Sequence, residues 1–265
     1  MNDIIFISAG FGVGLVIGLT GVGGGSLMTP LLIFVFGVKP HLAIGTDLLF
    51  AAFTKLGGSI KLARAKLIDW PVVGLLAAGS LPASLLTLYM LNQIGTTNPV
   101  VQRVMTTTLG IALLLTALAT LYKAIWSKAP VKRATDTHKP TSKPSQAKHW
   151  SLPLLLGAVI GALVTLTSVG AGAIGMTALI LLYPALPLPR IVAADIAHAV
   201  PLTLVAGLGH ASLGSVDWSL LALLLAGSLP GIYLGSHLLA KTPERVVRSV
   251  LSVLLAYAGS KLLAI

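Results

Sequence analysis

Apolar residues run along this chain in long blocks separated by short polar intervals. The blocks fall at 4–19, 25–36, 42–62, 70–91 and 100–125, and again at 151–167, 173–186, 190–210, 218–239 and 246–264. Several reach about 20 residues, the length a helix needs to cross a bilayer. The pattern predicts an all-α, polytopic integral membrane protein. Block 25–36 is too short for that role. As a helix it rises about 18 Å against a hydrocarbon core of ~30 Å. It reads as a half-helix or as one arm of a re-entrant hairpin.

The first two blocks are joined by Gly18-Leu-Thr-Gly-Val-Gly-Gly-Gly-Ser-Leu-Met-Thr-Pro30, and a related stretch returns as Leu166-Thr-Ser-Val-Gly-Ala-Gly-Ala-Ile-Gly-Met-Thr177. Glycine-rich backbone inside an apolar run breaks a helix. In lipid the released N–H and C=O groups must be buried in protein or face a polar cavity. Broken segments at matching places in two halves point to a transport site. The competing reading is close helix packing on small residues, and Gly10, Gly14 and Gly18 fit it.

The match between halves extends well beyond the glycines. At an offset of 147, Gly14, Leu19, Thr20, Val22, Gly23 and Gly25 meet identical residues at 161, 166, 167, 169, 170 and 172. At an offset of 148, Met28, Thr29, Asp47, Asp69 and Trp70 meet Met176, Thr177, Asp195, Asp217 and Trp218, and Ala78-Gly-Ser-Leu-Pro82 recurs as Ala226-Gly-Ser-Leu-Pro230. This is an internal duplication. It divides the chain into a first membrane repeat (1–125), a connector (126–149) and a second membrane repeat (150–265). Each repeat holds a Gly-broken hairpin followed by three transmembrane helices.

Composition supports a membrane setting: 55% of residues are apolar and 9% charged, where a soluble chain carries about 25% charged residues. The formal charge of +11 raises the question of nucleic acid. Its location argues against that partner. Lys123, Lys128, Lys132, Arg133, Lys139, Lys143 and Lys148 gather at the connector, opposed there by Asp136. Such a cluster marks the cytoplasmic side and suits contact with anionic lipid. Lys61, Arg64 and Lys66 place the loop before Trp70 inside, whereas loop 92–99 is uncharged and loop 211–217 has no Lys or Arg. Lys241, Arg245 and Arg248 place the following loop inside. Matching loops therefore lie on opposite faces. That makes the repeats inverted, with both termini external and the connector cytoplasmic. The N-terminus lacks a basic n-region and a clear cleavage site, so no signal peptide is read. The chain has no cysteine, which removes thiol chemistry and disulfides.

Ionisable residues within apolar blocks are costly and mark function by default. Asp47, Lys55, Asp195 and His198 are of this kind. Asp47 and Asp195 stand near the starts of their blocks, which leaves a helix N-cap as an equal alternative to proton coupling. Lys55 could instead snorkel toward the interface, and His198 could be a structural, hydrogen-bonded histidine rather than a proton carrier. Asp69 and Asp217 read as N-caps, with Pro71 in the first turn. Trp70 and Trp218 read as interfacial anchors. Pro82 and Pro230 read as kinks.

The breaks carry the more specific chemistry. A helix that starts inside the membrane aims unpaired N–H groups and a partial positive charge at what precedes it. Glycine admits close backbone approach, and Thr20, Ser26, Thr167 and Ser168 add hydroxyls. Small oxyanions bind this way. Helix C-termini at the same break would equally suit Na⁺ or a proton-linked donor. The chain has no His-Glu-x-x-His, Gly-x-Ser-x-Gly or P-loop motif, and its histidines lack metal-ligand spacing. No enzyme, cofactor or metal is therefore expected, and any pumping draws on an ion gradient or a partner.

The run Gly-Leu-Thr-Gly-Val-Gly-Gly-Gly, then Thr-Pro, Ala-Ile-Gly-Thr-Asp47, a basic loop, Asp-Trp70 and Ala-Gly-Ser-Leu-Pro82 resembles the TauE/SafE family of bacterial membrane transporters. The resemblance covers nearly the whole chain outside the connector. It implies a multi-pass inner-membrane permease, often an exporter, for small sulfur-containing anions such as sulfite, sulfonates or sulfoacetate. The second half departs from the first at Ser168 for Gly21, Ala171 for Gly24, and Ala193-Ala194 for Gly45-Thr46, which argues against a strictly twofold site.

Sequence alone thus leads to a secondary transporter working by alternating access between inverted repeats. Its expected anion site comprises Thr20, Gly23, Gly24, Gly25, Ser26, Lys55, Thr167, Ser168, Gly170 and Gly172. Asp47, Asp195 and His198 are the expected ion-coupling residues, toward H⁺ or Na⁺. An anion channel, or a permease for another small organic anion, is the alternative. Expected partners are the anion, the coupling ion and membrane lipid, and a homo-oligomer is compatible with all of this.

Overall fold

The computed structural model describes residues 2–20, 25–126, 150–170, 172–238 and 244–264. Among them the chain forms ten helices: α1 (Asn2–Thr20), α2 (Gly25–Phe34), α3 (Pro40–Arg64), α4 (Trp70–Ile94), α5 (Pro99–Trp126), α6 (Ser151–Thr167), α7 (Ala173–Leu182), α8 (Leu188–Ser212), α9 (Trp218–Leu238) and α10 (Glu244–Leu263). The all-α architecture follows the apolar blocks closely. By length and composition α4, α5, α8 and α9 suffice to cross a membrane. At 10 residues each, α2 and α7 rise only about 15 Å, half of the hydrocarbon core. The connector expected at 126–149 falls outside the described residues from 127 onward.

Helix starts follow local chemistry. Proline occupies the first turn of α3, α4 and α8, where its missing N–H is harmless. Asp217 caps α9 by accepting the Leu220 N–H at 3.0 Å. Asp69 occupies the matching position before α4, but its side chain makes no cap bond, so the capping expectation holds for one aspartate of the pair. Pro82 and Pro230 lie inside α4 and α9, which continue through them.

The interior is mainly apolar, as in a soluble protein, but so is the exterior. Large apolar side chains such as Leu85, Leu86, Tyr89, Leu118, Tyr233 and Tyr257 are exposed, while Thr29, Asp47, Ser80, Thr165 and His210 are buried. Soluble monomers seldom expose apolar surface on that scale, and lipid tails are its natural solvent. Trp70 and Trp218, 62% and 59% exposed, stand at helix starts, where aromatic belts form.

Glycines set the helix pairings. In α1, Gly10 abuts Leu224, Gly14 abuts Ser228, and Gly18 abuts the turn from Ile232 to Ser236. A Cβ at any of these positions would collide with α9 backbone, so the two helices touch main chain to main chain and run parallel. The second half repeats the arrangement. Gly157 abuts Leu76, Gly161 abuts Ser80, and Thr165 Oγ1 donates to Ser84 Oγ at 2.7 Å, so α6 runs parallel to α4. The small-residue ridge read from Gly10, Gly14 and Gly18 is therefore present, and Gly79 and Gly227 contribute from the facing helices.

The central pair behaves differently. Gly45 meets His210, and Gly207 meets Leu49, so α3 and α8 run antiparallel. The α5–α10 pair is also antiparallel, with Gly110 against Gly259 and Leu263 and Thr120 Oγ1 beside Ser252 Oγ at 2.8 Å. Exchange of the halves turns the α1–α9 contact into α6–α4, α2–α3 into α7–α8 and α4–α8 into α9–α3, and returns α3–α8 and α5–α10 to themselves. The halves interlock rather than sit side by side. The bundle is built around α3 and α8.

Candidate functional site

Asp47 is the eighth residue of α3, and Asp195 is the eighth of α8. Both helices begin two residues earlier than the hydrophobic blocks suggest, because Pro40 and Pro189 suit a first turn. Two helical turns separate each aspartate from its helix start, about 10 Å of rise, so neither is an N-cap. Asp47 is 0% exposed, and Asp195 is buried as well. Thr29 Oγ1, on the half-helix α2, donates to Asp47 Oδ2. Asp47 Oδ1 has no hydrogen-bond partner among the described residues.

The second break brings further groups to the same place. Ser168, 4% exposed, ends α6 in the left-handed region at φ 60°. Gly170 at φ 130° and Gly172 at φ 142° then turn the chain into α7, a path that side chains with a Cβ resist. Ser168 Oγ faces the Asp47 carboxylate at the margin of a hydrogen bond. Asp195 Oδ1 lies against Gly175 in the first turn of α7, so close that a Cβ there would stand 2.6 Å from it. A carboxylate thus sits at the positive end of a half-helix.

Lys55 is 8% exposed. Its ammonium lies within electrostatic range of Asp195 and Asp47 and of His198. Snorkelling is thereby set aside: burial directs this lysine to the carboxylates. His198 Nε2 shares a 2.7 Å hydrogen bond with Ser80 Oγ of α4. Asp47, Lys55, Asp195, His198 and Ser168 therefore form one buried polar cluster drawn from both halves.

Thr167 has a local role in this structure. Its hydroxyl donates to Leu163 O at 2.7 Å and Val169 O at 2.9 Å, and it accepts the Val169 N–H at 3.1 Å. These bonds fasten the break itself. The Thr20 and Ser26 side chains, all of Gly23 and Gly24, and the surroundings of Gly25 lie outside the described residues.

Sequence reasoning missed Thr29 and Ser80 as partners of the charged cluster. A signal for Thr29 was present: the pair Thr29–Asp47 recurs as Thr177–Asp195 at the same spacing. A second buried group was also missed. His210 Nε2 bonds to Thr165 O at 2.9 Å, Thr46 Oγ1 accepts the Asp217 N–H at 3.0 Å, and Ser215 Oγ donates to Thr96 Oγ1 at 3.2 Å. These bonds tie loops 92–99 and 213–217 to the same end of the bundle.

A family model described as sulfite exporter TauE/SafE matches residues 6–262. Three Bacillus subtilis (strain 168) proteins named as probable membrane transporter proteins are similar over their length. YjnA is 36% identical over 261 residues, 98% of this chain and 100% of that protein. YunE is 25% identical over 280 residues, 99% and 98% of the two chains. YdhB is 26% identical over 266 residues, 98% and 100%. No solved structure matches the chain.

Proposed function

This chain belongs to the TauE/SafE family of membrane transporters, and we propose that its cargo is a small sulfur-containing anion such as sulfite, a sulfonate or sulfoacetate. The family description and the relatives' names support membrane transport rather than catalysis. The finer reading is a secondary transporter of the bacterial inner membrane, exporting by alternating access between inverted repeats. Antiparallel pairing of the equivalent helices α3 with α8, and α5 with α10, supports the inversion. The basic loops support a cytoplasmic connector and external termini.

The observation that carries the reading is the convergence of the second break, Lys55 and both buried aspartates on one point between α3 and α8. A buried ammonium and the first-turn N–H groups of a half-helix are a means of holding an oxyanion in the membrane. In this reading Lys55 supplies the charge. The start of α7 after Gly170 and Gly172 supplies N–H groups, and the sequence match between the two breaks extends the reading to Thr20, Gly23, Gly24, Gly25 and Ser26. Asp47, Asp195 and His198 govern the coupling ion.

Purified protein in proteoliposomes tests it. Labelled sulfite or taurine should enter saturably, and unlabelled anion inside should accelerate uptake. Flux that never saturates and shows no counterflow would identify an anion channel. Counterflow with carboxylates but with no sulfur anion would reassign the cargo.

A further inference from the structure

The two ends of the central α3–α8 pair are built unequally. Exchange of the halves carries the end formed by the start of α3 and the end of α8 onto the end formed by the start of α8 and the end of α3. The apolar packing survives that exchange. Val72, Val73 and Leu76 are buried at one end, and their equivalents at an offset of 148, Leu220, Leu221 and Leu224, are buried at the other. The buried polar bonds do not survive it. His210 Nε2 meets Thr165 O, Thr46 Oγ1 accepts the Asp217 N–H, and Ser215 Oγ donates to Thr96 Oγ1. The residues equivalent to His210, Thr46 and Ser215 are Leu62, Ala194 and Leu67, whose side chains hold no polar atom.

These three bonds are placed to act as a latch. His210, Thr46 and Ser215 are fully buried, so water does not compete for their partners. The bonds join α8 to α6, the start of α9 to α3, and loop 213–217 to loop 92–99. The backbone adds to the closure. Gly45 rests directly against Ser215 O, where a Cβ would collide, whereas the equivalent Ala193 carries a methyl group. Each end also buries polar atoms that lack a partner among the described residues: His41 Nδ1 and His210 Nδ1 at the latched end, the Tyr183 hydroxyl at the other. Unmet groups thus burden both closures, and the bonds remain the surplus of one.

In a transporter of inverted repeats, opening to one side and opening to the other are the same motion with the halves exchanged. Where the apolar clusters match, the two openings differ by what has no counterpart. Water entering at the latched end must break bonds that entry at the other end does not meet. A buried hydrogen bond adds a modest net stability, and three together favour closure at least about ten-fold. By loop charge the latched end is external. Loops 92–99 and 211–217 there have no Lys or Arg, while Lys61, Arg64 and Lys66 stand at the other end.

We propose that His210, Thr46 and Ser215 form a one-sided latch that keeps the unloaded bundle shut toward the outside, so that its site opens preferentially to the cytoplasm, as export requires. The latch itself needs no cargo, whereas its service to export rests on the transport reading above. The chain has no cysteine, so single thiols report cleanly. Ala194→Cys and Ala206→Cys place them at two fully buried positions, each six residues from an end of α8. The full chain is purified without anion and treated with a water-soluble maleimide that reaches both faces. Ala194→Cys should react at least about ten-fold faster than Ala206→Cys. Adding Ser215→Ala or Thr46→Val should speed labelling of Ala206→Cys several-fold and leave that of Ala194→Cys unchanged. Equal rates, faster labelling of Ala206→Cys, or latch variants that speed both thiols alike or neither, overturn the latch. In a second arm, membrane vesicles of known orientation receive an impermeant maleimide, and Ala194→Cys should label from the cytoplasmic face. Labelling of Ala194→Cys from the external face leaves the latch standing and removes the export reading.

Discussion

Replacing Thr29 with valine isolates the bond that holds Asp47 in place. The two side chains are nearly equal in volume, and both Thr29 and Asp47 are fully buried, so the change removes one donor without opening a cavity. The bond lost runs from Thr29 Oγ1 to Asp47 Oδ2. A hydrogen bond to a charged group contributes about 1.5–3 kcal/mol. Thr29→Val leaves the carboxylate only its contacts with Ser168 and the residue-29 backbone. At about 2–4 °C per kcal/mol for a chain of this size, the melting temperature of purified protein should fall by roughly 3–12 °C. Thr29→Ser keeps the donor and should recover most of that loss. A double-mutant cycle with Asp47→Asn sharpens the test. Residues in direct contact should couple by about 0.5–3 kcal/mol. Thr29→Val that melts like the parent, together with additive effects in the cycle, would show that Thr29 does not position this carboxylate.

The helix contacts predict that Gly14→Ala and Gly161→Ala damage the bundle alike, because each new Cβ meets the backbone of the equivalent facing serine, Ser228 or Ser80. Overpacking of this kind costs about 1–3 kcal/mol, and thermal unfolding of the two single variants should agree within error, with marked inequality counting against equivalent packing. The caps predict an asymmetry: Asp217→Ala removes a real cap bond and should cost about 1 kcal/mol, whereas Asp69→Ala, which removes none, should cost clearly less by the same thermal assay. Topology is open to single-cysteine labelling of intact cells. Thr97→Cys and Ser212→Cys, both exposed, one on the loop before α5 and one at the end of α8, where Thr96 and Ser215 join the two loops, should react with impermeant reagent from outside, and Ala65→Cys only after permeabilisation. Labelling of Thr97 and Ser212 from opposite sides would overturn the arrangement.

Hydrophobic pattern and identical residues at fixed offsets were enough to read the elements and their repetition. Apolar block length dictates membrane helices because the bilayer offers no partner for an unpaired backbone, and identical residues at fixed offsets dictate that two segments fold alike. The short reach of α2 and α7 was readable for the same reason, as was the ridge of Gly10, Gly14 and Gly18. What Asp47 and Lys55 do was not readable, because their surroundings depend on chain from the other half. A sequence cannot show that Ser168 comes to face Asp47, that Asp195 closes on Gly175, or that Ser80 meets His198. The N-cap alternative for the aspartates stayed open for a related reason: helix ends in apolar sequence are set by where the bundle lets the chain turn, and hydrophobicity marks them only to within a residue or two. Thr167 shows the limit from the other side. Its place in the break was legible, but the direction of its hydroxyl was fixed by the fold of Ser168 and Val169 around it. Local chemistry decides which segments become helices in lipid. Only the interlocking of the two halves decides which polar groups share a low-dielectric interior, and there each charge is governed by the few neighbours that the packing allows it.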